Sequence, residues 1–167
     1  MTSLNETIHT LLSGLSKVDV IRANQNGRQP PKPFMAYQVN WDKMPEHYHY
    51  SKLNEQGGQV VSTNVESMLE IQCFGTGAVD RMRNLLIKMA TYSERLKWIN
   101  AGVVIVDEGT LRNVPFLNDA QQFEERAIVE IEIRHKLTTT DLISYFDRTE
   151  VTDEDNKITR TIGVTNG

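Results

Sequence analysis

The chain has 167 residues, 39% of them hydrophobic and 24% charged, which excludes wholesale disorder and a fibrous repeat and leaves room for one sizeable core. Its net charge of −4 is unevenly placed: residues 107 to 155 carry 13 acids against 5 bases, and residues 77 to 98 carry 5 bases against 2 acids. That separation suits complementary protein surfaces. It lacks the basic stripe through which a DNA-gripping protein neutralises phosphates.

Leu4, Ile8, Leu11, Leu12 and Leu15 recur at three-and-four spacing and predict a short amphipathic helix. Residues 24–33, Asn-Gln-Asn-Gly-Arg-Gln-Pro-Pro-Lys-Pro, collect turn formers and lose three backbone donors to proline, so they form a stiff, extended loop. Met35, Tyr37, Val39 and Trp41 then alternate with Ala36, Gln38 and Asn40, the period of a half-buried strand. A longer strand follows over residues 61–73, its odd positions mostly apolar and its even ones polar. The intervening Gly57-Gly58 predicts a hairpin that joins the two and projects from the body.

Gly75 and Gly77 close the second strand, and Val79, Met82, Leu86, Met89 and Leu96, flanked by Leu85 and Tyr92, predict one long second helix. A short apolar strand at residues 103–106 comes next. Val129, Ile131, Ile133 and Leu137 alternate with charged residues and predict a third patterned strand, whereas residues 142–146 show no clear pattern. The polar stretch from Thr152 to Lys157 leads into residues 158–162, a strand without an evident internal partner. The expected architecture is α+β: a mainly antiparallel sheet packed against two helices, with a projecting hairpin, one domain over residues 1–150 and a C-terminal arm over 151–167 that orders on a neighbour.

No apolar run approaches the roughly 20 residues that span a bilayer, and the N-terminus lacks the basic and apolar regions of a signal peptide, so a cytoplasmic site of synthesis and no membrane partner are expected. The single Cys73 excludes an internal disulfide and a multi-cysteine zinc site. Its place among Leu69 and Ile71 reads as core.

His47 and His49, two apart on a strand, are the best metal candidates, but His9 and His135 are distant in sequence, and a polar, aromatic hairpin surface presenting Tyr48 and Tyr50 is the favoured reading. The acidic pairs Asp107-Glu108 and Glu124-Glu125 border turns and read as solvated loop acids instead of a hydrolase's metal ligands. Arg22, Arg28 and Lys32 around the proline loop read as ordinary surface cations. There is no phosphate-binding glycine loop, nucleophile elbow or helical His-Glu-x-x-His. No enzyme and no cofactor are expected.

Residues 20–27, Val-Ile-Arg-Ala-Asn-Gln-Asn-Gly, followed by Pro30, Pro33 and a strand with Tyr37, resemble the N-terminal signature of phage neck and tail terminator proteins. Ile71-Gln72-Cys73-Phe74-Gly75 before Ala78-x-Asp80, and Glu125-Arg126-Ala127 opening a strand, resemble the family in order and spacing, so the likeness covers residues 4 to about 137. Phe34 departs from it where a tyrosine is expected.

The resemblance implies a structural virion subunit, assembled in the host cytoplasm, that forms a homo-hexameric ring at the head-proximal end of the tail and ends tube polymerisation. Its implied partners are further copies of itself, the tail tube, the sheath of a contractile tail, and neck or connector proteins, with genomic DNA passing through the lumen unbound. A neck or head-completion subunit nearer the portal is the alternative, and a small metal-dependent hydrolase using His47 and His49 is a third. Arg22, Gln25, Asn26, Tyr48, Tyr50, Ile158 and Ile162 are the expected subunit or partner contacts.

Overall fold

The computed structural model describes residues 3–44, 47–117, 120–143, 148–152 and 159–163. By its internal contacts the chain forms two compact units, one of residues 1–47 and 63–137, the other of residues 48–62 and 138–167.

The first unit begins with α1 (Leu4–Leu15). Ser3 caps it through a reciprocal box, its hydroxyl accepting from the Glu6 amide while the Glu6 carboxylate accepts from the Ser3 amide. Then come β1 (Asp19–Arg22) and β2 (Phe34–Lys43), which pair in parallel with Val20 opposite Met35 and Arg22 opposite Tyr37. Two parallel neighbours need a connection that carries the chain back along the full strand length. The proline-rich segment is that return, which is why it is long and extended.

β4 (Gly58–Phe74) pairs antiparallel with β2 and with β3 (His49–Tyr50), and β9 (Arg126–Leu142) pairs antiparallel with β5 (Val103–Asp107) and with β6 (Arg112–Asn113). The strand order is β1-β2-β4-β9-β5, with β3 beside β4 and β6 beside β9. A small separate ladder joins β7 (Phe116–Leu117) to β8 (Phe123–Glu124).

The pleat sorts the side chains. In β4 the odd residues Val65, Leu69, Ile71 and Cys73 are fully buried, as are Val129, Ile131 and Ile133 of β9. All but Val65 pack with Ile8 and Leu12 of α1 and with Met82, Leu85 and Met89 of α2 (Ala78–Met89). Each such side chain contributes about 1.5–3 kcal/mol through its removal from water. The expected α+β fold with a mostly antiparallel sheet is therefore present, although the described residues contain three helices and not two.

The difference lies at Thr91. The predicted long second helix ends at Met89, and α3 (Tyr92–Asn100) starts afresh after Thr91, whose backbone is extended and whose hydroxyl returns to the Lys88 carbonyl at 2.8 Å. The apolar register consequently changes. Leu96 and Tyr92, expected on the buried stripe, are exposed, and Trp98 is the residue that α3 buries.

The second unit contains β3, the tip where β4 starts, the end of β9, and a hairpin of β10 (Arg148–Thr152) and β11 (Thr159–Gly163). At the tip, the Asn54 carboxamide oxygen accepts from the amides of Gln56 and Gly58 at 3.0 and 2.6 Å, and Gly57 takes the positive φ of 77° that the turn requires. The C-terminal strand, expected to lack an internal partner, is antiparallel to β10 with Ile162 opposite Thr149. Arg-Thr-Glu-Val-Thr has too little apolar alternation to reveal that partner in the sequence. Ile158, like residues 144–147 of the unclear segment, lies outside the described residues.

Gly109 follows β5 with φ 64°, and a Cβ there would lie 1.8 Å from the Glu130 carbonyl oxygen. Gly109→Ala is expected to cost at least about 2 kcal/mol, through a backbone clash added to left-handed strain. Urea denaturation of the two proteins measures it; an unchanged midpoint would contradict this placement of the loop.

Candidate functional site

The face of the main sheet away from the helices is polar and cross-linked. Asn24, held at φ 57°, donates its amide to the Gln38 side chain at 2.6 Å, and Gln38 donates to Glu70 at 3.1 Å. Asn40 and Gln72 also donate to Glu70, and Arg126 donates to Gln72 at 2.8 Å while its guanidinium lies 5.4 Å from the centre of the Phe74 ring. Phe34 stacks on Phe74 at 4.9 Å, and Phe74 meets Phe116 edge-on at 6.2 Å. Phe34, where the family resemblance led to an expected tyrosine, is thus a buried ring of a small aromatic cluster. Farther along, Arg134 and Lys43 both pair with Glu66, whose carboxyl is held below its usual range chiefly by the Arg134 hydrogen bond.

Beside this face the proline loop borders a depression of about 330 Å³, where Arg22, Arg28 and Arg126 are the charged lining residues and Gln25 and Gln29 add amides. Arg22 and Gln25 also line a second depression of about 550 Å³ with Glu6, His9 and Tyr37. There the Tyr37 hydroxyl donates to the Asn5 carbonyl at 2.8 Å, and burial raises its pKa against the opposing pull of Arg22. Arg22, Gln25 and Asn26 are all exposed. Tyr48 and Tyr50 are exposed in the second unit, and Ile162 belongs to that unit's β11.

The chemically suggestive residues have structural roles. Only His49 of the histidine pair lies in β3; His47 precedes it and its carbonyl accepts from the Thr63 hydroxyl at 3.0 Å. Among the described residues no group of three or more His, Cys, Asp or Glu side chains is placed to hold a metal ion. Glu108 pairs with Arg95 and Glu124 with Lys32, while Asp107 accepts from the Gly109 amide at 2.6 Å. Cys73 is fully buried, and burial raises its thiol pKa against the pull of Arg81.

Glu125 has a role that spacing did not reveal. Helix α2 begins after Gly77, which has no side chain with which to cap it. The Glu125 carboxylate, from the residue just before β9, accepts from the amides of Gly77 and Ala78 at 2.7 and 3.3 Å, so a distant acid neutralises the positive helix end. Its own carbonyl accepts from the Gly75 amide at 3.0 Å. The two segments quoted for the family resemblance thus meet at this junction.

A buried polar group was also missed. Ser67, fully buried, lies 2.5 Å from an Asp42 carboxylate oxygen and 3.0 Å from His135 Nε2. His135 occupies an odd, core-facing position of β9, and burial lowers its pKa, with Asp42 opposing.

The model of one protein family, described as phage neck terminator protein, matches residues 2–157. No curated protein matches the chain.

Two measurements test these assignments. Glu125→Ala, which removes the acceptor, is expected to lower stability by about 1 kcal/mol, the usual worth of a helix cap, which corresponds to a melting temperature about 2–4 °C lower for a chain of this size; equal melting curves would remove the capping role. For His135, the unfolded chain gains a proton near the ordinary value of 6.5 while the folded chain resists it, so folding stability is expected to fall as pH drops through 6.5 toward the lowered folded value. Above that window this histidine has no effect. Denaturant titrations at pH 7.5 and 5.5 should show the loss in the native chain and a smaller one in His135→Gln; identical slopes would show that His135 does not contribute.

Proposed function

The chain belongs to the phage neck terminator family, a family of structural tail and neck proteins and not of enzymes, and from that premise we propose that its copies close into a hexameric ring at the head-proximal end of the tail. The ring ends tube polymerisation and offers its opposite surface to the neck. The family match across residues 2–157 is the observation that carries this reading.

Physical features of the chain support it. A closed ring uses a head-to-tail interface in which one patch of a subunit meets a different patch of the next. The main sheet places β1 at one edge and β5 at the other, and the charge of the chain is divided between a basic α2–α3 stretch and an acidic later stretch. Ile87, Tyr92, Ile99 and Phe123 are large apolar side chains left exposed in the isolated chain.

Arg22, Gln25 and Asn26 by the proline loop, and Tyr48, Tyr50, Ile158 and Ile162 of the second unit, are the residues we assign to contacts with neighbouring copies, the tail tube, the sheath of a contractile tail or the connector. A lumen without basic clusters lets DNA pass without counterion-release binding.

Negative-stain electron microscopy of the purified chain, alone and with tail tubes, tests the reading together with gene deletion in the phage. Rings that cap one tube end, and overlong tubes in the deletion, are the expected result. Monomers that ignore tube ends beside normal-length tails would overturn it, and leaky heads with normal tails would reassign the chain to head completion.

A further inference from the structure

A cavity of about 260 Å³ opens between the end of α1 and the side of α2, and each charged residue that lines it is a cation: Lys17, Arg81 and Lys88. Val18, Met35 and Leu85 supply an apolar floor. Among the described residues none of the three cations has a carboxylate partner. Lys88 reaches only the Leu15 carbonyl at 3.2 Å, Arg81 makes one long contact of 3.5 Å to the Thr76 carbonyl, and Arg81 Nε is buried with no acceptor. A buried donor without a partner is costly, and a carboxylate supplied from outside relieves it. The apolar floor suits the methylene stem of an acidic side chain better than a bare phosphate. In the other cation-lined depression, by contrast, Arg126 is engaged with Gln72 and Phe74.

The matching acids are on the same chain. Asp107 of β5 and Glu132 of β9 stand opposite each other in the strand register, and among the described residues neither has an ion-pair partner. They lie on the sheet face away from the helices, whereas the cavity lies on the helix side. The two patches of one subunit therefore point away from each other, and their complementarity is satisfied only between copies, head to tail.

Resting on the ring reading above, we propose that the α1–α2 cavity is the acceptor of the ring interface and that the Asp107–Glu132 edge of a second copy fills it. The cations anchor the carboxylates, the apolar floor takes their stems, and repetition of the contact around the axis closes the ring.

Two full-length variants test this by native mass spectrometry: Arg81→Glu with Lys88→Glu in the cavity, and Asp107→Lys with Glu132→Lys on the edge. Circular dichroism establishes that each is folded. The exposed Lys17→Glu, which breaks no internal hydrogen bond, serves as a milder cavity variant. Each double variant alone is expected to weaken ring assembly at least about tenfold. Mixed in equal amounts, they are expected to regain rings of alternating composition, because every interface then again joins opposite charges. Wild-type assembly by both cavity variants, or no recovery on mixing, would overturn the proposal while the ring reading stands. A wild-type chain that never forms rings would remove the ring reading itself.

Discussion

Leu69, Ile71 and Cys73 sit in the C-terminal part of a seventeen-residue strand with no solvent exposure, and their neighbours Glu70 and Gln72 sit on the other side of the same pleat. That alternation forces the rest of the architecture. A strand with one dry face needs a layer laid over that face, and α1, α2 and Trp98 of α3 provide it. The opposite face must keep its polar groups satisfied, which it does by hydrogen bonding them to one another across β2, β4 and β9. A one-residue slip of β4 would exchange the two faces and lose both arrangements at once.

The helical layer is also tied to the sheet through its ends. Gly75 and Gly77 let the chain turn from β4 into α2, both at positive φ; the Ala78 amide reaches the Gly75 carbonyl at 3.1 Å, whereas the Gly77 amide needs an acceptor from elsewhere in the chain. Glu125, just before the strand that neighbours β4, supplies it, so the entry to β9, the end of β4 and the start of α2 form a single junction. The aromatic cluster of Phe34, Phe74 and Phe116, with Arg126 over Phe74, covers the neighbouring sheet surface. Order and spacing of Gly75, Gly77 and Glu125 to Ala127 are constrained together because they are one physical contact.

Period-two and period-3.6 patterns made α1, β2, β4 and the middle of β9 legible, because in those elements burial alone decides which residue goes where. The break at Thr91 was not legible: Ala90-Thr91-Tyr92-Ser93 contains neither glycine nor proline, and the extended Thr91 is selected by the need to seat Trp98. The pairing of β1 with β2 was hidden because four residues are too few to show a period. The β10–β11 hairpin was hidden because Thr, Glu and Arg dominate its strands. Glu125 as a cap was out of reach for a different reason, since its partners lie 48 and 47 residues away and capping signatures are local.

The Asp42–Ser67–His135 group shows how residue types alone mislead about chemistry. Nucleophilic catalysis by such residues requires the imidazole between serine and carboxylate, so that it can accept the hydroxyl proton while the acid orients it. Here serine is the central member: its hydroxyl donates to Asp42, which leaves its lone pairs to accept from the imidazole N–H of His135. The hydroxyl is thus committed in both directions and fully buried, with no route to a substrate. What the arrangement does provide is a satisfied polar tie across β2, β4 and β9, buried at Ser67 and His135 and open to solvent at Asp42, with the His135 pKa lowered by burial against the pull of Asp42. A tie of this kind specifies strand register, because a shifted β9 would take His135 away from Ser67 and a shifted β2 would take Asp42 away from it.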